Sequence, residues 1–315
     1  MPTEVSDKPI SRIAVIGVGQ VGGAVAYALT LGSVAREILL VDVDIRGRDG
    51  QVRDLSDAAY SSKRNTRVRE ATYQEASQCD IVVITAGSKF PLGETSMQHL
   101  YHNIAVVRNV LEAMKPFRSD TILLLVSNPV DVVTSLAREL SGLPSSQVLG
   151  SGTFLDSVRL RGLLADKIGV AGPSIDVYVL GVHGDNQVVG WSLATIGGVP
   201  IHTSLPRSAI DRAELEKECK QRSQDIIEAK GTMPFGIGSA VSSICASILF
   251  DKRNVRAVSH YQPDYGCCLS MPVILGRKGI VGTIKMPLSS GEETAIADSA
   301  NTLRATISRI RESTG

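Results

Sequence analysis

Residues 12–23, Arg12-Ile13-Ala14-Val15-Ile16-Gly17-Val18-Gly19-Gln20-Val21-Gly22-Gly23, join an apolar run to a glycine-rich turn, and a helical pattern then continues to Gly32. Gly17, Gly19 and Gly22 fall at GxGxxG spacing between a strand and a helix, the context in which that spacing carries meaning. The first glycine permits a tight turn, the second lets backbone approach a pyrophosphate, and the third allows close packing of helix on strand. The pyrophosphate would then meet the positive end of the helix. Asp42 closes the next apolar run, EILLVD, 20 residues beyond Gly22, where a carboxylate accepts hydrogen bonds from ribose hydroxyls. A carboxylate there repels a 2′-phosphate and favours NAD over NADP, with Arg46 and Arg48 the cations that argue the other way. Gln20 and Val21 belong to the same cofactor-binding turn.

Outward from this stretch the pattern repeats. The runs RIAVIG, EILLVDVD, DIVVITAG and DTILLLVSNP are separated by helix-length segments and lack polar alternation, as strands buried on both faces do. The expected fold class is therefore α/β, a Rossmann-type doubly wound parallel sheet over residues 1–150. Beyond Gly150 long amphipathic segments at 155–168, 212–230, 236–250 and 292–311 alternate with the runs IDVYVLGVHG, AVSHY, CCLSMPVIL and GIVGTIKM. This predicts a second α+β domain over 151–315 that bears the substrate, with the active site between the two.

Composition narrows the function classes. Hydrophobic residues make up 43% of the 315 and charged residues 21%, which excludes disorder as the main state. A net charge of +1 provides no global attraction to nucleic acid or an anionic membrane. Residues 13–35 carry no charge and are long enough to span a bilayer, but five glycines weaken such a helix, and a soluble protein is expected. The first residues, MPTEVSDKPIS, lack the basic-then-apolar order of a secretory signal. Five cysteines without a CxxC pair or zinc-ligand spacing predict reduced thiols, no metal site and a cytoplasmic location.

Three further clusters carry chemistry: Ser127-Asn128-Pro129-Val130-Asp131, Gly152-Thr153-Phe154-Leu155-Asp156-Ser157-Val158-Arg159, and Gly181-Val182-His183-Gly184-Asp185. Imidazole titrates near neutral pH and suits proton transfer. Asp156 and Arg159 stand at i, i+3, on one face of a helix. With the glycine turn, ITAG at 84–87, GET at 93–95 and FGIG at 235–238, the chain resembles the L-lactate/malate dehydrogenase family over nearly its whole length, and the L-lactate dehydrogenase branch most closely.

The resemblance implies an oxidoreductase moving a hydride between NAD(H) and a 2-oxo or 2-hydroxy acid. It implies His183 as acid/base, Asp156 as the carboxylate that orients it, Arg159 as a two-pronged clamp on the substrate carboxylate, and Asn128 as a contact to substrate oxygen and nicotinamide ribose. Thr85, Ala86, Gly87 and Asn103 match positions near the cofactor, and a homodimer or homotetramer is the implied assembly.

The substrate loop departs from the family pattern. An ungapped match across residues 88–97 puts Phe90 at the specificity position and Ser96 where a carbonyl-polarising arginine is usual. Met233 stands in place of a pocket threonine, and Val182 in place of a glutamate. These changes disfavour malate and predict an apolar substituent bulkier than that of pyruvate. Loss of one cation beside the developing alkoxide costs on the order of a hundredfold to a thousandfold, so poor pyruvate turnover is expected. Two alternatives keep the fold: an NAD-binding protein without dehydrogenase activity, or repurposed acid/base chemistry in specialised metabolism. Retention of Asn128, Asp156, Arg159 and His183 together weighs against simple decay. His99, His102, His202 and His260 are expected on solvated surfaces or interfaces, and Cys267-Cys268 inside a strand.

Overall fold

The computed structural model describes residues 10–61, 65–87, 96–204, 206 and 210–314. The N-terminal part comprises β1 (Arg12–Ile16), α1 (Gln20–Leu31), β2 (Glu37–Val41), α2 (Ile45–Ser61), β3 (Arg67–Glu70), α3 (Tyr73–Ala76) and β4 (Ile81–Ile84). It continues through α4 (Ser96–Met114), β5 (Ile122–Leu125), α5 (Val130–Leu140) and β6 (Val148–Gly150). Its strands lie parallel in the order β3-β2-β1-β4-β5-β6. Ile13, Ala14, Val15, Val82, Val83 and Leu124 are fully buried, because helices cover both faces. Each such valine, leucine or isoleucine contributes about 1.5–3 kcal/mol by leaving water.

The strand order reverses between β1 and β4, and ligands bind such sheets in the crevice beyond the strand ends at that point. Register places the crevice: Ile16 is opposite Val41 on one side and Ile84 on the other, so Gly17, Asp42 and Thr85 all emerge at the same end. β3, with sequence RVRE, was not visible as an apolar run. It is the sheet's edge and buries only Val68.

The C-terminal part comprises α6 (Phe154–Ile168), β7 (Ile175–Asp176), β8 (Val179–Gly181), β9 (Gln187–Val189), β10 (Thr195–Ile196), β11 (Val199–Pro200) and α7 (Ile201–Ser204). Then follow α8 (Arg212–Lys230), α9 (Pro234–Leu249), β12 (Asn254–Gln262), β13 (Cys267–Gly276), β14 (Gly279–Thr283) and α10 (Ser290–Thr314). Gly150 of β6 pairs with Ser259 of β12, and Ser270 of β13 pairs with Gly181 of β8. One eleven-stranded sheet therefore runs from the parallel strands into an antiparallel set.

The run IDVYVLG also differs from a single strand. Ile175 and Asp176 pair with β10 in a small second sheet, whereas Val179–Gly181 joins the main one, so the chain changes sheet at Val177 and Tyr178. His260 is 4% exposed rather than solvated, because β12 is covered on both sides where it crosses the middle of the sheet. All five cysteines are buried and unpaired, with Cys267 and Cys268 opening β13. Among the described residues no helix is long and apolar enough to cross a membrane.

Candidate active site

The glycine turn is shaped by what surrounds it. Gly17 has φ +85°, and a Cβ there would sit 2.6 Å from the Ala86 Cα. A Cβ on Gly22 would overlap the Gly17 carbonyl oxygen and approach Thr85 Oγ1 to 2.8 Å. Thr85 is thus part of the turn's support: its hydroxyl donates to the Gly17 carbonyl at 2.6 Å and the Ile16 carbonyl at 3.1 Å. Gly19 is different, with open space around its Cα and no side chain capping α1. The helix start is left as a seat for an anion, since its first N–H groups have no intrahelical acceptor.

Asp42 is held by backbone, its Oδ2 accepting from the Val18 N–H at 2.6 Å and its Oδ1 from the Asp44 N–H at 3.0 Å. A cavity of about 450 Å³ opens beside it, walled by Val43, Tyr73, Ala86, Val106 and Val110. An open helix start, a fixed carboxylate and an apolar slot fit a dinucleotide. Arg48 is engaged with Asp49 through two hydrogen bonds of 3.0 and 2.9 Å. Val21 is half-buried and packs against the core. Gln20 accepts a hydrogen bond from Thr232 Oγ1 at 2.8 Å, which ties the turn to the segment entering α9. Asn103 contacts His99 Nε2 at 3.1 Å and donates to the Asn128 carbonyl at 3.4 Å, with Gly87 facing its amide. Ser127 Oγ donates to the Ala86 carbonyl at 2.5 Å and fastens the ends of β4 and β5 together.

The second half of the site forms where two helices begin. Asp156 lies in the first turn of α6, where the helix dipole favours an anion, and Arg159 follows one turn later. His183 arrives on the connection from β8 to β9, and its Nδ1 lies 2.8 Å from Asp156 Oδ2. A carboxylate has no proton to give, so Nδ1 is the donor and Nε2 is the nitrogen available for transfer. Asp156 is 3% exposed and His183 25%, so the pair is fixed from behind and reachable from one side. Burial alone would lower the imidazole pKa. Asp156 and, from α5, Asp131 outweigh it and hold the His183 pKa above its ordinary value, with Arg159 opposing them.

Arg159 is 10% exposed. Its guanidinium reaches Asp156 Oδ1 at 3.4 Å, the Ser223 hydroxyl, and Met233 Sδ at 2.8 Å. Asn128 faces the same cavity as Arg159 and His183, and Leu155, Met233, Ile237 and Ala240 form its apolar wall. Val182 packs against the core, and its main-chain N–H donates to Ser299 Oγ at 3.3 Å. Phe90 and the side chain of Ser96 lie outside the described residues. Sequence reading missed Ser223, the one serine of the amphipathic helix α8, which carried no signal. It quoted Asp131 within a motif but gave it no task.

Comparison with known proteins follows the same division of the chain. The family model for the lactate/malate dehydrogenase NAD binding domain matches residues 11–150, and that for the alpha/beta C-terminal domain matches 153–314. The chain is similar to L-lactate dehydrogenase A of Rhizopus oryzae, 40% identical over 296 residues, which cover 94% of this chain and 92% of the relative. It is 36% identical to L-lactate dehydrogenase of Deinococcus radiodurans over 298 residues, 93% and 97% of the two chains. Among solved structures it is similar to MGS-M5, a lactate dehydrogenase from a deep-sea metagenome library, with TM-score 0.91 and 30% identity over 96% of this chain and all of the other.

Proposed function

This chain belongs to the lactate/malate dehydrogenase family, an NAD-dependent oxidoreductase family, and from that premise we propose that it interconverts 2-oxo and 2-hydroxy acids carrying a substituent bulkier or more apolar than that of pyruvate. The observation that carries the reading is the cluster of His183, Asp156 and Arg159 beneath an apolar wall. NAD(H), when bound, supplies the hydride acceptor or donor, and Gly17, Gly19, Gly22 and Asp42 would hold it. Arg159 grips the substrate carboxylate by paired hydrogen bonds, a geometry lysine lacks. In reduction His183 gives the proton on Nε2 to the ketone oxygen as the carbon gains hydride, and in oxidation it takes that proton back. Asp156 orients the ring and stabilises the imidazolium. Asn128, lining the same cavity, orients the reacting oxygen. Met233 and Ile237 keep water out and give a second carboxylate no partner, which disfavours malate.

The test is NADH consumption across oxaloacetate, pyruvate, and branched and aromatic 2-oxo acids. Turnover rising with apolar bulk supports the proposal. A clear preference for pyruvate supports the second reading, lactate as substrate, which the names of the 40% and 36% identical relatives favour. NADH binding without turnover on any oxo acid overturns both and points to repurposed chemistry.

The cofactor part is taken to end near Gly150. A homodimer or homotetramer is further proposed, supported by Tyr27, Leu31 and Phe235, which stand 47%, 37% and 73% exposed on the packed pair α1 and α9. Sedimentation of the purified chain checks it, a monomer being the contrary result. A cytoplasmic location is proposed from the five unpaired buried thiols.

A further inference from the structure

Asp131 is a buried acid that the reaction above does not use. It sits in the first turn of α5, 2% exposed, three residues after Asn128. Its Oδ2 accepts the main-chain N–H of His183 at 2.7 Å. Its Oδ1 and the Ser259 hydroxyl are both buried, and close enough for the hydroxyl to favour the carboxylate, yet neither atom makes a hydrogen bond of good geometry. A lone buried polar oxygen is costly, on the order of 1–3 kcal/mol, so its presence beside the acid/base residue calls for a role.

We propose that Asp131 is a positioning residue for the proton donor: from the start of α5 it fixes the main chain of His183, while Asp156 from the start of α6 fixes the ring, so that carboxylates from two helices hold the residue. The inference rests on His183 being the proton donor.

The surroundings of this pair are defined on every side. α6 presents Asp156 and Arg159, α5 presents Asp131, β12 presents Ser259, and β13 presents the Cys267 and Cys268 thiols, pushed by burial up to about 11 and about 12 and therefore neutral. Burial raises the Asp131 pKa above the usual carboxylate range, Asp156 adds to this, and the Ser259 hydroxyl, the His183 N–H and the imidazolium oppose it. Asp131 and the protonated imidazole therefore stabilise each other's charge. At the first turn of a helix the carboxylate also gains from the dipole.

The test is Asp131→Asn, in which the amide oxygen still accepts the His183 N–H but the charge is gone. The expected result is an alkaline limb of NADH-driven reduction displaced toward acid by about half a pH unit or more, with KM for the oxo acid unchanged because Arg159 is untouched. The His183 ring, followed by NMR of histidine-labelled protein without cofactor, titrates at correspondingly lower pH. Ser259→Ala, which removes only a buried hydroxyl, gives a smaller displacement in the same direction, and tests the idea even where Asp131→Asn fails to fold. Unmoved pH profiles and ring titration in these variants overturn the proposal. His183→Asn separates the two failures: if that variant still turns over, the reading of His183 falls first, and if it is inactive while the pH limb in Asp131→Asn stays put, only the role of Asp131 falls.

Discussion

The turn at Gly17–Gly22 and the cluster around His183 are built on different principles. At the turn, backbone contacts leave room for hydrogen alone at two positions, Gly17 against Ala86 and Gly22 against the Gly17 carbonyl. At the cluster, side chains from α5, α6 and the β8–β9 connection meet through charge, at 2.8 Å between His183 and Asp156. The first region is specified by sterics over a few residues, the second by electrostatics across 27 and 52 residues of chain. Substitution of Gly17 or Gly22 should therefore damage fold and cofactor binding together, while substitution in the cluster should largely spare the fold and damage chemistry.

The widest separation is expected for His183→Asn. Turnover falls by about a hundredfold to ten-thousandfold while NADH affinity, and at alkaline pH the thermal midpoint, stay near wild type, as steady-state rates, fluorescence titration and calorimetry would record. A matching loss of NADH binding would break the contrast. Next comes Gly22→Ala, expected to destabilise by about 1–3 kcal/mol and to weaken NADH binding, read from denaturant unfolding and the same titration. Arg159→Lys keeps the charge but loses the fork, so KM for the oxo acid rises on the order of tenfold or more, with the fold intact.

The cluster also carries a pH signature. Because the His183 pKa lies above its ordinary value in the folded chain, the reduction rate holds below that raised value and falls about tenfold per unit above it. The stability that protonated His183 contributes is complete below about 6.5, its unfolded value, and is lost as pH rises through the folded one. The gap in denaturation midpoint between wild type and His183→Asn should accordingly shrink toward alkaline pH. The smallest effect on the fold is expected from Gly19→Ala. No atom lies near its missing Cβ, so stability stays within about 0.5 kcal/mol while NADH affinity drops, measured by unfolding beside titration. Unchanged NADH affinity there would remove Gly19 from the cofactor seat.

The same division explains what could be read in advance. Four parallel strands, β1, β2, β4 and β5, were legible because burial on both faces leaves a continuous apolar run, and the turn because glycine spacing records a local steric demand; β6, three residues long, was too short to show one. β3 was not, since an edge strand that buries only Val68 has no apolar run to show. α6 was placed to within a residue, and the i, i+3 spacing already put Asp156 beside Arg159. Ser223 and the unpaired oxygen of Asp131 were invisible, because contacts between α6 and α8, or between α5 and the β8–β9 connection, leave no periodicity in sequence. Val182 looked like a loss of polarity, and in the fold it is a core contact.

The most direct measurement is single-turnover NADH oxidation, with wild type and His183→Asn each in excess over cofactor and saturated with the best 2-oxo acid, followed by chromatographic assay of the 2-hydroxy acid formed. The expected result is one 2-hydroxy acid per NADH consumed in wild type and almost none in His183→Asn, with NADH bound equally by both. NADH bound by both and consumed by neither, or consumed equally by both, would contradict the assignment of proton transfer to His183.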